Sequence, residues 1–287
     1  MNVDDIAGFL KNVESTVSSI LKIGFLSRGV TPASRIGRGK TLVILGNGPS
    51  LRQTIDEYYE RLKSYDMMAV NFAALSDDFI RLRPKYYMLA DKHFFNGLAT
   101  DPNVATLWNK LRSVNWNMNL LVPATYRPIA HSLVMMSKSI RIRTYNLTPV
   151  EGFRWVTHTI YSSGLGMPRP RNVLIPALME GIRLGYSEII ICGADHTWTR
   201  TLEVDEYNRV LSVQPHFYED NENEHKRVRE TYKNLRLHNV LGSMAIAFSS
   251  YWKVKEYADS CNVRIFNATP GSMIDAFPRI KGLGHIL

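Results

Sequence analysis

The chain has 287 residues, 45% of them hydrophobic and 21% charged, a balance that suits one large domain with a full core. It holds only two cysteines, which excludes a disulfide scaffold or a cysteine-rich metal module and leaves Cys192 and Cys261 as small hydrophobes. The formal charge is +9, but the basic residues are scattered and carry no nucleic-acid-binding signature, so anionic small substrates or an anionic membrane surface rank above nucleic acid.

Residues 1 to about 25 place Ile6, Phe9, Leu10, Val13, Val17, Ile20 and Leu21 at helical spacing, which predicts an amphipathic helix. Its polar face mixes acids with few bases, so packing on the body or on a dimer partner ranks above membrane docking. Asp4 and Asp5 stand where a secretory signal has bases, and no run approaches the roughly 18 apolar residues of a membrane span; the expectation is a cytoplasmic protein. Gly37-Arg38-Gly39 separates this segment, residues 1–38, from a main domain over 39–287.

From Thr41 the pattern becomes strand, turn, helix, repeated. Thr41–Leu45 reads as a buried strand, Leu51–Leu62 as a helix and Met67–Val70 as a second strand. Tyr86–Ala90, Leu120–Val122 and the more exposed Ile140–Arg143 continue the series. Pro170–Leu184 reads as a helix and Ile189–Cys192 as the most apolar strand. Residues 197–224 are polar, aromatic-rich and without a period, too long for an ordinary connection, so a lid is expected at about 197–237. A long helix over Lys226–Cys261 and a last strand, Arg264–Asn267, close the chain. The alternation predicts an α/β fold, a Rossmann-like and mostly parallel sheet with helices on both faces.

Chemistry-bearing residues gather at predicted strand ends, where open α/β sheets bind ligands. Gly46-Asn47-Gly48-Pro49-Ser50 joins the first strand to a helix. Glycines there let a backbone approach a phosphate, and a helix start offers bare amides and a positive dipole end; a plain turn capped by Ser50 competes almost evenly. Asn71 follows the second strand and Asp91 the third. Asp195-His196 follows Ile189–Cys192, suiting a ribose hydroxyl and a phosphate or proton, against a turn-capping Asp195. His216 and Tyr218 lie in the irregular segment and His238 opens the next helix; His216, His238 and His196 are the candidate bases. Ser163-Gly164 and Ser272 mark two further turns, the second expected to lead into a helix. No cluster has metal-ligand spacing and no hydrolase nucleophile elbow is present, so neither metal nor cofactor is expected.

The Gly46–Leu51 loop, Asn71, Ser163-Gly164 and the Leu184-Gly185-Tyr186 block leading to Gly193-Ala194-Asp195 together resemble the bacterial CMP-sialic-acid sialyltransferases with a metal-independent, GT-A-like fold. They also resemble the related Maf flagellin glycosyltransferases and the archaeal 6-hydroxymethylpterin diphosphokinases. The resemblance runs from about Thr41 to Phe277, in short islands. It implies a nucleoside monophosphate-sugar donor, with Asn47, Gly48 and Ser50 at the phosphate, Asn71 at the nucleotide, Asp195 at the ribose, and Ser163 and Gly164 near the donor sugar or base. It also implies inverting displacement with a histidine on or beside the lid as base. His196-Thr197-Trp198 departs from the family, which has aromatic residues there, including a phosphate-binding tyrosine.

The sequence thus points to a glycosyltransferase using a CMP-activated acidic sugar and a glycan or glycolipid acceptor in surface-polysaccharide synthesis. Peripheral contact with the inner membrane and self-association are both compatible with it; nucleic acid is not expected. Competing readings are a pterin-type diphosphokinase using ATP and Mg²⁺, and a nucleotide-binding module without catalysis.

Overall fold

The computed structural model describes residues 3–212 and 235–283. Seven parallel strands form one sheet: β1 (Thr41–Leu45), β2 (Asp66–Val70), β3 (Tyr86–Met88), β4 (Met118–Pro123), β5 (Ile140–Tyr145), β6 (Glu188–Cys192) and β9 (Arg264–Asn267). Between the last two stands a separate antiparallel hairpin, β7 (Leu202–Val204) and β8 (Val210–Ser212). The order in the main sheet is β5-β4-β3-β2-β1-β6-β9. The chain therefore steps outward from β1 to β5, then returns to lay β6 on the other side of β1. That reversal makes the β1–β6 pair the topological switch point, where the turns leaving the two strands diverge to opposite faces and open a crevice.

Why both faces of the sheet are covered is written in the strands. In β1, Leu42 and Ile44 join one core while Val43 and Leu45 join another; in β6, Ile189 and Ile191 part from Ile190 and Cys192 in the same way. Period-two alternation of apolar residues that are all buried requires helices above and below. Each fully buried Val, Leu or Ile contributes roughly 1.5–3 kcal/mol. One face carries α7 (Arg154–Ser163), α8 (Leu174–Arg183) and the long α9 (Leu237–Ser260). The other carries α2 (Ser50–Leu62), α3 (Asp78–Leu82), α4 (His93–Asn96), α5 (Pro102–Arg112) and α6 (Arg127–Val134). Helix α9 buries Val240, Met244, Ala247, Tyr251, Val254 and Ala258, a stripe at three- and four-residue steps.

All seven expected strands exist. β5 is the exposed edge that its alternating arginines suggest, with Arg141 exposed. Helix α8 begins at Leu174 rather than Pro170, because Arg171 N–H turns back to the Arg169 carbonyl and Asn172 Oδ1 accepts the Leu174 N–H. Within the expected lid, residues 198–212 form a 3-10 turn and the β7–β8 hairpin. The hairpin packs on α9 through Val210, Val240 and Met244. Among the described residues no helix starts at Ser272: the segment from Ala268 to Pro278 is irregular, which corrects the helix expected there. Helix α1 (Val3–Leu26) lies on the segment around Glu151, with Ser19 Oγ donating to the Glu151 carbonyl and Thr16 Oγ1 accepting the Phe153 N–H. Among the described residues no helix is long and apolar enough to cross a membrane.

Candidate functional site

Two turns meet at the switch point, one leaving β1 and one leaving β6. Gly46 N–H donates to the Cys192 carbonyl and Gly48 N–H to the Gly193 carbonyl, both at 2.8 Å. The fit is tight enough to demand glycine. A Cβ on Gly46 would strike the Gly193 carbonyl, one on Gly48 the Asp195 carboxylate, and one on Gly193 the Leu51 side chain; Gly193 also has φ +66°. The amides of Gly46 and Gly48, expected to be bare, are thus engaged by the neighbouring strand end, and the glycines are explained by two backbones in contact.

The start of α2 is occupied as well. Ser50 Oγ donates to Asp195 Oδ2 at 2.8 Å, so the carboxylate sits at the positive end of the helix, where negative charge is stabilised. Burial raises the Asp195 pKa, and bonds from the Ser50 hydroxyl and amide oppose that rise. The expectation of a phosphate at Asn47, Gly48 and Ser50 is corrected accordingly: an anion already stands there, and a second one beside it is repelled. Asp195 keeps further acceptor capacity, because a carboxylate offers about four lone-pair sites. A hydroxyl-bearing ligand suits this corner better than a second anion.

What the turns leave unsatisfied is more informative. Asn47 Nδ2 donates to the Val70 carbonyl at the end of β2, and Val70 is followed directly by Asn71. Asn71 has φ +49°, and its carbonyl accepts from the buried Tyr87 hydroxyl. The side-chain oxygens of Asn47 and Asn71 are both buried and accept no hydrogen bond among the described residues. A buried acceptor without a donor costs about 1–3 kcal/mol. The two stand on adjacent strand ends, and Asn71 carries its oxygen on left-handed backbone.

His196, with φ +52°, is buried against Trp198 in a stacked contact at 4.0 Å. Its Nε2 lies 2.6 Å from the Tyr251 hydroxyl, which in turn lies 3.0 Å from Asn172 Oδ1. Because Asn172 Oδ1 also accepts the Leu174 N–H, the tyrosine proton points to Asn172 and Nε2–H of His196 donates to the tyrosine. Burial pushes the His196 pKa down to about 3, so the ring is neutral at physiological pH and a poor proton acceptor. The expected phosphate or base role gives way to that of a post, which fixes the turn carrying Asp195 to α9 and to the start of α8.

The other expected site residues scatter. Pro49 is exposed at the lip of the first turn. Asp91 is exposed and its carboxylate accepts the His93 N–H, a turn-forming bond. Ser163 is exposed and bonded to the Ile160 carbonyl, and Gly164 ends α7 against the Arg183 guanidinium. The Gly164 carbonyl accepts from Asn146, which directly follows β5 at the outer edge of the sheet. Ser272 is buried behind Asp195, its hydroxyl donating to the Ala194 carbonyl, and serves the turn. His238 is exposed in the first turn of α9, ten residues or about 15 Å along the helix from Phe248, which packs on His196. His216 and Tyr218 lie outside the described residues. Among the described residues no three His, Cys, Asp or Glu side chains are placed to hold a metal ion. Asn172 and Tyr251 carry no local motif that announces them. Tyr251 stands 55 positions after His196 and Asn172 lies ahead of α8, so only the fold brings the three together.

The sequence matches no protein-family model, and no curated protein matches it. Five chains of solved structures match. One is the MAf glycosyltransferase from Magnetospirillum magneticum AMB-1, with a TM-score of 0.55 at 13% identity, over 95% of this chain and 38% of that one. At that identity the likeness is one of fold, and the chain spans well under half the length of that enzyme.

Proposed function

We propose that this chain is a glycosyltransferase that takes its sugar from a nucleotide donor held at the switch point between β1 and β6. The observation that carries the reading is the pair of buried, unpartnered amide oxygens on Asn47 and Asn71, beside a carboxylate, Asp195, with acceptor capacity to spare. Three acceptors in one corner suit the amino and hydroxyl groups of a nucleoside. The fold shared with a MAf glycosyltransferase supports the same class. A CMP-activated acidic sugar remains the preferred donor, and a glycan or glycolipid the preferred acceptor.

The chemistry proposed is one inverting displacement. The acceptor hydroxyl attacks the anomeric carbon as a histidine takes its proton, and the bond from that carbon to the phosphate oxygen breaks, releasing CMP. His216 and His238 are the candidate bases, since His196 is neutral, buried and bonded to Tyr251. The donor phosphate is better placed away from the Asp195 carboxylate.

A thermal-shift panel of CMP, CDP, UMP, UDP, GDP and ATP, each with Mg²⁺ and with EDTA, tests this, because a ligand that binds only the folded state raises the melting temperature. CMP should stabilise the protein in EDTA, and Asn71→Ala should abolish the shift. A shift from ATP with Mg²⁺ alone would point instead to diphosphate transfer, and the proposal would be abandoned.

A further inference from the structure

Helix α1 turns polar side chains inward. Thr16 and Ser19 are buried against the segment around Glu151, while Leu10, Val17, Ile20, Leu21 and Phe25 are each more than half exposed. The other exposed apolar side chains of this helix, Ile6, Phe9, Val13 and Leu26, add to that uncovered surface, where the largest apolar patch on a typical monomer is about 300–600 Å². One partner in a standard interface buries about 800 Å². Nine exposed apolar side chains over more than five turns of helix offer an area on that order.

Its relief and charge favour one occupant. A groove runs along the outer face of α1 between the row Glu14, Ser18, Lys22 and the row Val17, Leu21, Phe25. Rows four residues apart are the ridges that helices interlock when they pack. Glu14 and Lys22 stand two turns apart, about 12 Å, on either side of the small Ser18, and among the described residues neither makes an ion pair. A two-fold axis through Ser18 would set Glu14 of each copy against Lys22 of the other, with the apolar rows between them. Such self-complementarity is what an isologous interface requires. A lipid surface suits the helix less well, because its acids offset its bases and Glu14 lies on the groove itself.

We infer that α1 is the dimerisation element of this protein, pairing antiparallel with α1 of a second copy through the Val17–Leu21–Phe25 face. The inference is independent of the chemistry at the switch point. Sedimentation equilibrium on the full chain should give the mass of two chains. Leu21→Glu combined with Val17→Glu should give one chain with an unchanged far-ultraviolet spectrum. Glu14→Lys should weaken the dimer, and adding Lys22→Glu should restore it. A wild-type chain that sediments as a monomer overturns the inference. So does a dimer that survives the double glutamate variant, or a monomer that floats with anionic vesicles through this face. Should the glutamate variant misfold, the charge-swap pair still decides, since both positions are at the surface.

Discussion

The turn that follows β1 and the turn that follows β6 meet in one crevice and divide its chemistry unequally. The first gives up its Gly46 and Gly48 amides to the carbonyls of Cys192 and Gly193, yet keeps an unanswered acceptor on Asn47. The second supplies the carboxylate that caps α2 and then anchors itself through His196. One turn leaves an acceptor without a partner; the other is tied down through its neighbours. A glycine-rich strand-to-helix turn is therefore no guarantee of an anion site, since the anion can come from the protein itself.

The contact between the turns is broken most severely at Gly48. In Gly48→Ala the new methyl meets the Asp195 carboxylate and the Gly193 carbonyl, and overpacking of this kind costs about 3 kcal/mol. Urea unfolding should show that loss as a lower midpoint at unchanged slope. A variant as stable as wild type would mean that the turns stand further apart.

The His196 anchor is tested by pH. Its folded pKa, about 3, lies below the roughly 6.5 of an unfolded histidine. The stability it contributes is therefore complete above that value and is lost as pH falls, since the unfolded chain takes up the proton first. Between about pH 6.5 and 4 the loss should be on the order of 3 kcal/mol. His196→Gln should flatten that part of the stability–pH curve, and a slope unchanged by the substitution would show that the ring is protonated without penalty.

Asp195→Asn separates two uses of the same corner. Burial holds the Asp195 pKa above its ordinary value, so removing the charge relieves desolvation while it forfeits the helix-end attraction, and the net change in stability should lie within about 1 kcal/mol of zero. If Asp195 accepts a nucleoside hydroxyl, CMP should bind roughly tenfold more weakly in titration calorimetry, the equivalent of about 1.4 kcal/mol. Tighter CMP binding in the variant would mean that the donor phosphate competes with the carboxylate, restoring the helix start as the phosphate site.

How much of this is legible in the chain depends on the range over which each feature is decided. Strands β1 and β6 declare themselves because runs such as Ile189–Cys192 are apolar on both faces, and burial on both faces follows from composition alone. Helices α5, α6 and α7 leave little trace; at 8 to 11 residues they span too few turns for periodicity to stand out. Asn47, Asn71 and Asp195 are visible because they stand at strand ends. Their division of labour is not, because it turns on which carbonyl each amide meets across the β1–β6 pair. The Asn172–Tyr251–His196 chain is hidden for the same reason.

The smallest effect concerns Asn71, the neighbour at the end of β2 that shares the unpartnered acceptor of the first turn. Its backbone is left-handed and its side-chain oxygen is buried without a donor. Asn71→Gly relieves both, since glycine takes positive φ at no steric cost and carries no amide to satisfy, although its freer unfolded chain offsets part of the gain. The net change in unfolding free energy should therefore lie within about 1 kcal/mol of zero, while the CMP-induced thermal shift disappears. Residues kept for binding at the expense of stability behave in this way. A variant that loses stability and keeps its response to CMP would show that Asn71 serves the fold and that the nucleoside lies elsewhere.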